Sequence, residues 1–151
     1  MPLEEGTSAP EISARNQHGE RVEPSFEGVA VVYFYPRDDT PGCTTEATQF
    51  AAELETYRDA GVAVYGVSTD DVDSHREFAE KHDIEFDLLA DPEGEIADAF
   101  DVERGRGDAT ARTTFVIVDG AVHTVYEDVR PDGHAREVMM DLLETDLVTL
   151  D

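Results

Sequence analysis

The sequence predicts an α/β protein: a central mixed β-sheet flanked by helices, with a small β-hairpin at the N-terminus. Three observations carry this expectation. Residues 29–35 and 62–68 are β-branched and aromatic runs without polar alternation, the pattern of strands buried on both faces. Stretches with helical spacing separate such runs along the chain. Asp119-Gly120 then lies between the apolar segments 113–118 and 121–126, a strong signal for a tight antiparallel hairpin. Apolar residues make up 40% of the 151-residue chain, enough for a core. No repeat or linker divides it, so residues 1–151 are expected to form one domain.

Residues 12–22 alternate loosely about Gln17-His18-Gly19 and suggest the N-terminal hairpin. The run 29–35 is the first buried strand, ended by Pro36, which has no amide proton to give a ladder. Thr40 then offers an N-cap and Pro41 the first helical position. Phe50, Leu54 and Tyr57 keep helical spacing until Gly61 supplies a stop, which predicts one helix of about five turns. Residues 62–68 form the second strand, 74–82 a short polar helix with Phe78 and Ala79 inward, and 86–90 a third strand. Asp91-Pro92-Glu93-Gly94 is a turn into a brief helix carrying Ile96, Ala99 and Phe100, and 101–112 read as a loop. The hairpin 113–126 follows, and a last helix presents Val138, Leu142 and Leu143 on one face. After the small hairpin the order is β-α-β-α-β-α-β-β-α, which resembles a thioredoxin-type fold, although a fold alone does not specify function.

Acidic residues number 36 against 11 basic ones, a formal charge of −25 and a pI near 4.2. This charge disfavours nucleic acid and anionic lipid as partners. The longest apolar run, residues 29–35, is far short of the roughly 20 residues of a membrane span, and the first five residues are acidic rather than basic. Both features suggest a cytoplasmic protein. Of the basic residues only Lys81 is lysine, and the acids are spread over the whole length, so the surface reads as salt-adapted. The five histidines, at 18, 75, 82, 123 and 134, make no metal-binding pattern and are expected to be exposed. Asp70-Asp71 with Asp73, and the acids of residues 91–95, are expected to be solvated caps and turns. No metal, haem or flavin is expected.

The single cysteine, Cys43, excludes an internal disulfide. With Thr40 as cap it stands at the third helical position, where first-turn N–H groups and the helix dipole favour an anion. A thiol of ordinary pKa is only a few per cent ionised at neutral pH, so a reactive cysteine needs such a setting. Gly42 leaves room for a small substrate to reach the sulfur. The Thr40 hydroxyl lies close enough in the turn to accept from and donate to what binds there.

Tyr33-Phe34-Tyr35-Pro36, Thr40-Pro41-Gly42-Cys43-Thr44 with Glu46, and Arg112-Thr113-Thr114-Phe115-Val116-Ile117 together resemble peroxiredoxins of the bacterioferritin-comigratory or Q type. Gly66-Val67-Ser68 and Phe78-Ala79-Glu80-Lys81-His82 are similar to the same family, so the resemblance spans nearly the whole chain. It implies a thiol-dependent peroxidase that reduces hydrogen peroxide and small organic hydroperoxides in antioxidant defence. Cys43 would be the peroxidatic nucleophile, passing through a sulfenic acid, and Thr40 would hold the peroxide. Arg112 would stabilise the thiolate and the charge moving between oxygens. Pro36 would shield the thiolate from water, and Glu46 would orient Arg112 or simply favour the helix start. The chain departs from the family at Thr48, where a resolving cysteine commonly stands. It is therefore expected to be a one-cysteine variant whose sulfenic acid is reduced by thioredoxin, a glutaredoxin-like protein or a small thiol. A peroxide sensor or redox adaptor without turnover is the alternative, and a monomer or weak homodimer is the expected state.

Overall fold

The computed structural model describes residues 2–105, 107 and 109–148. Arg106 and Asp108, part of the predicted loop 101–112, lie outside the described residues. The N-terminal hairpin pairs β1 (Ala14–Arg15) with β2 (Arg21–Val22). It is followed by β3 (Val29–Phe34), α1 (Pro41–Ala52), α2 (Leu54–Asp59), β4 (Val62–Ser68), α3 (Val72–His82) and β5 (Asp87–Ala90). Then come α4 (Glu95–Ala99), β6 (Thr113–Val118), β7 (Ala121–Tyr126) and α5 (His134–Glu144). The five-stranded sheet has the order β5-β4-β3-β6-β7, with β3, β4 and β5 mutually parallel and β6 antiparallel to both of its neighbours.

Strand pleating sends alternate side chains of β3 to opposite faces. Val31, Tyr33 and the following Tyr35 join one apolar cluster with Cys43, Phe50, Tyr57, Phe78, Val138 and Leu142. Ala30, Val32 and Phe34 join the other, with Ile12, Phe26, Ile96 and Phe100. These central strands lack alternation because both faces are covered. Asp119 and Gly120 adopt φ of 47° and 81°, the left-handed pair that a two-residue hairpin turn requires.

Two helices differ from expectation. The single helix predicted after Pro41 is broken at Glu53, where ψ is 2° instead of about −40°. Bonds from Glu53 N to Gln49 O and from Tyr57 N to Glu53 O carry the chain across the junction, so the apolar spacing survives the break. The helix predicted from residue 74 begins at Val72, because Asp71 caps it by accepting from Ser74 N at 2.9 Å.

Candidate active site

The register of β3 assembles the site. Its C-terminal residue Phe34 lies opposite Thr113 of the antiparallel β6, so Arg112, one residue earlier, arrives where the chain leaves the sheet for α1. There the Thr110 hydroxyl donates to the Tyr35 carbonyl at 2.7 Å and ties the two segments together. Cys43 and Glu46 are spaced by three residues on α1 and therefore share a helix face. The Arg112 guanidinium spans both: Nη2 donates to Cys43 Sγ at 3.1 Å and Nη1 to Glu46 Oε1 at 3.0 Å. Cys43 and Glu46 are each only 1% exposed, and the Arg112 side chain 18%.

Thr40 occupies the N-cap with extended backbone, φ −91° and ψ 155°, and Pro41 opens the helix. The expected side-chain cap is not made. The Thr40 hydroxyl turns back and donates to the Arg37 carbonyl at 3.2 Å. The first-turn amides thus keep no side-chain acceptor at the cap, and their partial positive charge remains directed at the start of the helix.

Gly42 also differs from expectation. A Cβ there would lie 2.7 Å from Arg112 Nη2 and 3.3 Å from Pro131 Cγ, so the space beside Gly42 holds the guanidinium rather than open room for a substrate. Pro36 is half-buried in the bend after β3. The Thr48 hydroxyl folds back onto α1, donating to Thr44 O at 2.8 Å and Thr45 O at 3.1 Å.

Burial raises the Glu46 carboxyl to about 7, against the opposing pull of Arg112. Its Oε2 and the Tyr33 hydroxyl are buried without a hydrogen-bond partner among the described residues. Tyr33 is held well above the usual phenol range, first by burial and then by the field of Glu46. Its ring stacks on Phe50 at 4.7 Å. Gly66, paired with Tyr33 across the parallel strands, makes this possible, since a Cβ there would sit 2.9 Å from the phenol oxygen.

The expectation that the histidines are exposed fails for His75, 0% exposed, and His134, 2% exposed. His75 stands three and four residues before the buried Phe78 and Ala79, on the same face of α3. His134 likewise precedes Val138 and Leu142 on the buried face of α5. Sequence reasoning also missed Asp38 and Pro131. Asp38 is 8% exposed, and its carboxylate meets His75 Nδ1 at 2.7 Å. The acids expected to be solvated caps include Asp71, a cap as expected. Asp91 caps α4 by accepting from Ile96 N and Ala97 N at 2.9 and 3.0 Å but is buried at 4% exposure rather than solvated.

A buried cysteine in the first turn of a helix, bonded to a guanidinium carried in by a distant strand of a thioredoxin-type sheet, defines a thiol-dependent peroxidase. Residues 6–125 match the AhpC/TSA family. Bacillus subtilis peroxiredoxin Bcp is 36% identical over 151 residues, covering 94% of this chain and 96% of that protein. Escherichia coli peroxiredoxin Bcp is 35% identical, covering 95% and 97%. Among solved structures, Mycobacterium tuberculosis peroxidoxin BcpB superposes with a TM-score of 0.87 at 31% identity, covering 94% of this chain and 97% of that one. Xanthomonas campestris bacterioferritin comigratory protein, studied for alkyl peroxide reduction, gives 0.82 at 31% identity, covering 89% and 91%. The chain belongs to the AhpC/TSA family, among its peroxiredoxins of the bacterioferritin-comigratory and Q type. These relatives favour an enzyme over a sensor or adaptor without turnover.

Proposed function

We propose that the enzyme reduces hydrogen peroxide and small organic hydroperoxides through Cys43, with Thr40 and Arg112 as its other catalytic residues. The observation that carries this reading is the 3.1 Å bond from Arg112 Nη2 to Cys43 Sγ, with the cysteine itself only 1% exposed. The thiolate attacks one peroxide oxygen, forming the S–O bond as the O–O bond breaks. Sulfur is oxidised by two electrons to the sulfenic acid, and the leaving oxygen takes up a proton as water or an alcohol. Arg112 faces the sulfur with one nitrogen while Glu46 holds the other, so its charge meets the oxygens without reorganising. The Thr40 hydroxyl donates to Arg37 O, which leaves its lone pairs free to accept the proton of an incoming peroxide. Pro36 screens the approach, and Gly42 admits the guanidinium.

Cys43 is the only cysteine, so the sulfenic acid is reduced from outside. One thiol condenses with it to a mixed disulfide, releasing water, and a second thiol frees Cys43 as the external disulfide departs. Thioredoxin, a glutaredoxin-like protein or a small thiol has the required chemistry. The enzyme is read as a cytoplasmic monomer or weak homodimer of one domain; Met140, at 50% exposure the one exposed large apolar side chain among the described residues, supports only the weakness of any such interface. Among the described residues no helix is long and apolar enough to cross a membrane.

The test is stopped-flow loss of the Cys43 thiol on mixing reduced protein with substoichiometric hydrogen peroxide in molar salt, with Arg112→Ala alongside. Consumption far faster than that of a free thiol, slowed about a hundredfold in Arg112→Ala, is expected. Loss no faster than a free thiol would falsify the assignment.

A further inference from the structure

We propose that Asp38 and His75, with Asp70, are positioning residues that set the Thr40 hydroxyl for peroxide. The proposal rests on the role given to Thr40 above. The link is a single peptide unit. The carbonyl of Arg37 accepts from Thr40 Oγ1 at 3.2 Å, and the amide at the other end of the same planar group, Asp38 N–H, donates to Asp70 Oδ2 at 2.7 Å. The orientation of that one plane fixes the carbonyl to which the Thr40 proton points. It thereby fixes which way the Thr40 lone pairs face.

Side chains clamp the plane from beneath. Asp38 Oδ1 accepts from the Tyr35 hydroxyl at 2.6 Å, and Oδ2 accepts from the Ser74 hydroxyl at 2.8 Å and meets His75 Nδ1 at 2.7 Å. His75 Nε2 donates to the Leu89 carbonyl at 3.1 Å, so the ring is held between the end of β5 and Asp38 in the connection from β3 to α1. Asp70 is steadied in turn by the Ser68 hydroxyl at 2.7 Å. The clamp answers a local need. Asp39, between the clamped residue and Thr40, has a left-handed φ of 61°, a conformation that costs an L-residue energy and persists where its surroundings hold it. α3 holds this segment at two points, through His75 on Asp38 at 2.7 Å and Lys81 on Asp39 at 3.0 Å.

The same atoms of Asp38, Asp70 and His75 lie within 4.8 Å of one another, close enough to suggest a cation. Asp38 Oδ1 and Oδ2 and Asp70 Oδ2, however, already accept from Tyr35, Ser74, Ser68 and the Asp38 amide, bonds with which a cation would compete. The arrangement serves as a hydrogen-bond clamp. Its consequence is specific to peroxide. An alkylating agent meets the sulfur without needing an acceptor at Thr40, whereas a peroxide needs both.

The experiment measures two second-order rates on the full chain: Cys43 oxidation by hydrogen peroxide and Cys43 alkylation by iodoacetamide, for Asp38→Asn, Thr40→Val and the double variant. Asp38→Asn turns an amide hydrogen toward donors and is expected to slow oxidation about tenfold or more. Alkylation should stay within about twofold of the parent, and in the Thr40→Val background the same change should cost less than about twofold more. The histidine gives a second route if Asp38→Asn does not fold. His75→Asn offers Asp38 an N–H where Nδ1 stands, while His75→Gln places its amide toward Leu89, so oxidation should fall further in His75→Gln than in His75→Asn. Oxidation unchanged in folded variants, alkylation falling by the same factor, losses that multiply in the double variant, or equal effects of His75→Asn and His75→Gln each overturn the proposal. If the parent reacts fast and Thr40→Val slowly, such a result overturns this inference alone. If Thr40→Val oxidises as fast as the parent, the role of Thr40 falls and the inference with it.

Discussion

At the scale of single residues the site is governed by one guanidinium shared between a sulfur and a buried carboxyl. Glu46 carries a pH signature. Its folded-state value of about 7 exceeds the ordinary 4.5, with burial as the cause. Between those values the folded protein keeps a proton that the unfolded chain has released, so acid stabilises the fold through this group. That stability is present below about pH 4.5 and is lost as pH rises toward 7. Urea unfolding at pH 5 and pH 8 should show the parent losing more stability than Glu46→Gln, by on the order of 3 kcal/mol. Parallel profiles would refute it. Gly42 supports a second test. Its Cβ would meet Arg112 Nη2 at 2.7 Å, the far end of a long side chain, so Gly42→Ala should displace the guanidinium more than it unfolds the helix. Peroxide reactivity should fall about tenfold or more while stability changes by about 1 kcal/mol, read by stopped flow and by denaturant midpoint. Loss of stability without loss of rate would show that Arg112 tolerates the methyl group.

At the scale of elements, α1 bears on what would become of Cys43 once peroxide oxidised it. Cys43 and Thr48 both lie within its helical span. Five residues of helix rise about 7.5 Å, and their opposed faces separate the Cα atoms beyond the roughly 7 Å that a disulfide spans. A Thr48→Cys variant should therefore close an internal disulfide after peroxide only by unwinding the first turns. Hydrogen exchange across residues 42–48 should speed up in the oxidised variant, and unchanged protection alongside a formed disulfide would contradict this. The parent has no such exit, so excess peroxide should carry Cys43 on to sulfinic acid, seen by mass spectrometry. A stable sulfenic form with no sulfinic product would count against it. How much of this was legible in the sequence depends on spacing. Cys43, Pro41 and Thr40 are neighbours on the chain, so their place at a helix start could be derived. Arg112 is 69 residues from Cys43 and came only from the family motif, since nothing local encodes the β3–β6 register that delivers it. His75 was legible but unread, for its spacing to Phe78 and Ala79 already put it on a core face. The break at Glu53 was not, because the apolar spacing continues across it.

At the scale of the molecule, the two-sided sheet could be read from the unalternating strands, whereas the small hairpin shrank to strand pairs of two residues for want of a strong pattern. The surface charge follows different rules from the core. A formal charge of −25 is distributed along the chain, and the basic side chains available to offset it are few. Exposed pairs such as Arg76 with Asp73 and Lys81 with Asp39 contribute little each. The fold therefore works against its own repulsion, which molar salt reduces by shortening the Debye length to about 3 Å. Raising KCl from 0.1 M toward 2 M should lift Tm by about 10 °C or more, at roughly 2–4 °C per kcal/mol for a chain of this size. Screening has two marks that a general salting-out effect lacks. Most of the gain should arrive by about 0.5 M and be shared by chloride and bromide, because ionic strength alone sets the screening length. The gain should also be smaller at pH 5 than at pH 8, since pH 5 lies close to the pI of about 4.2 and protonation has already removed part of the charge. A rise that follows the identity of the anion, or that is undiminished at pH 5, would show that hydration of the surface rather than repulsion between its carboxylates sets the salt response.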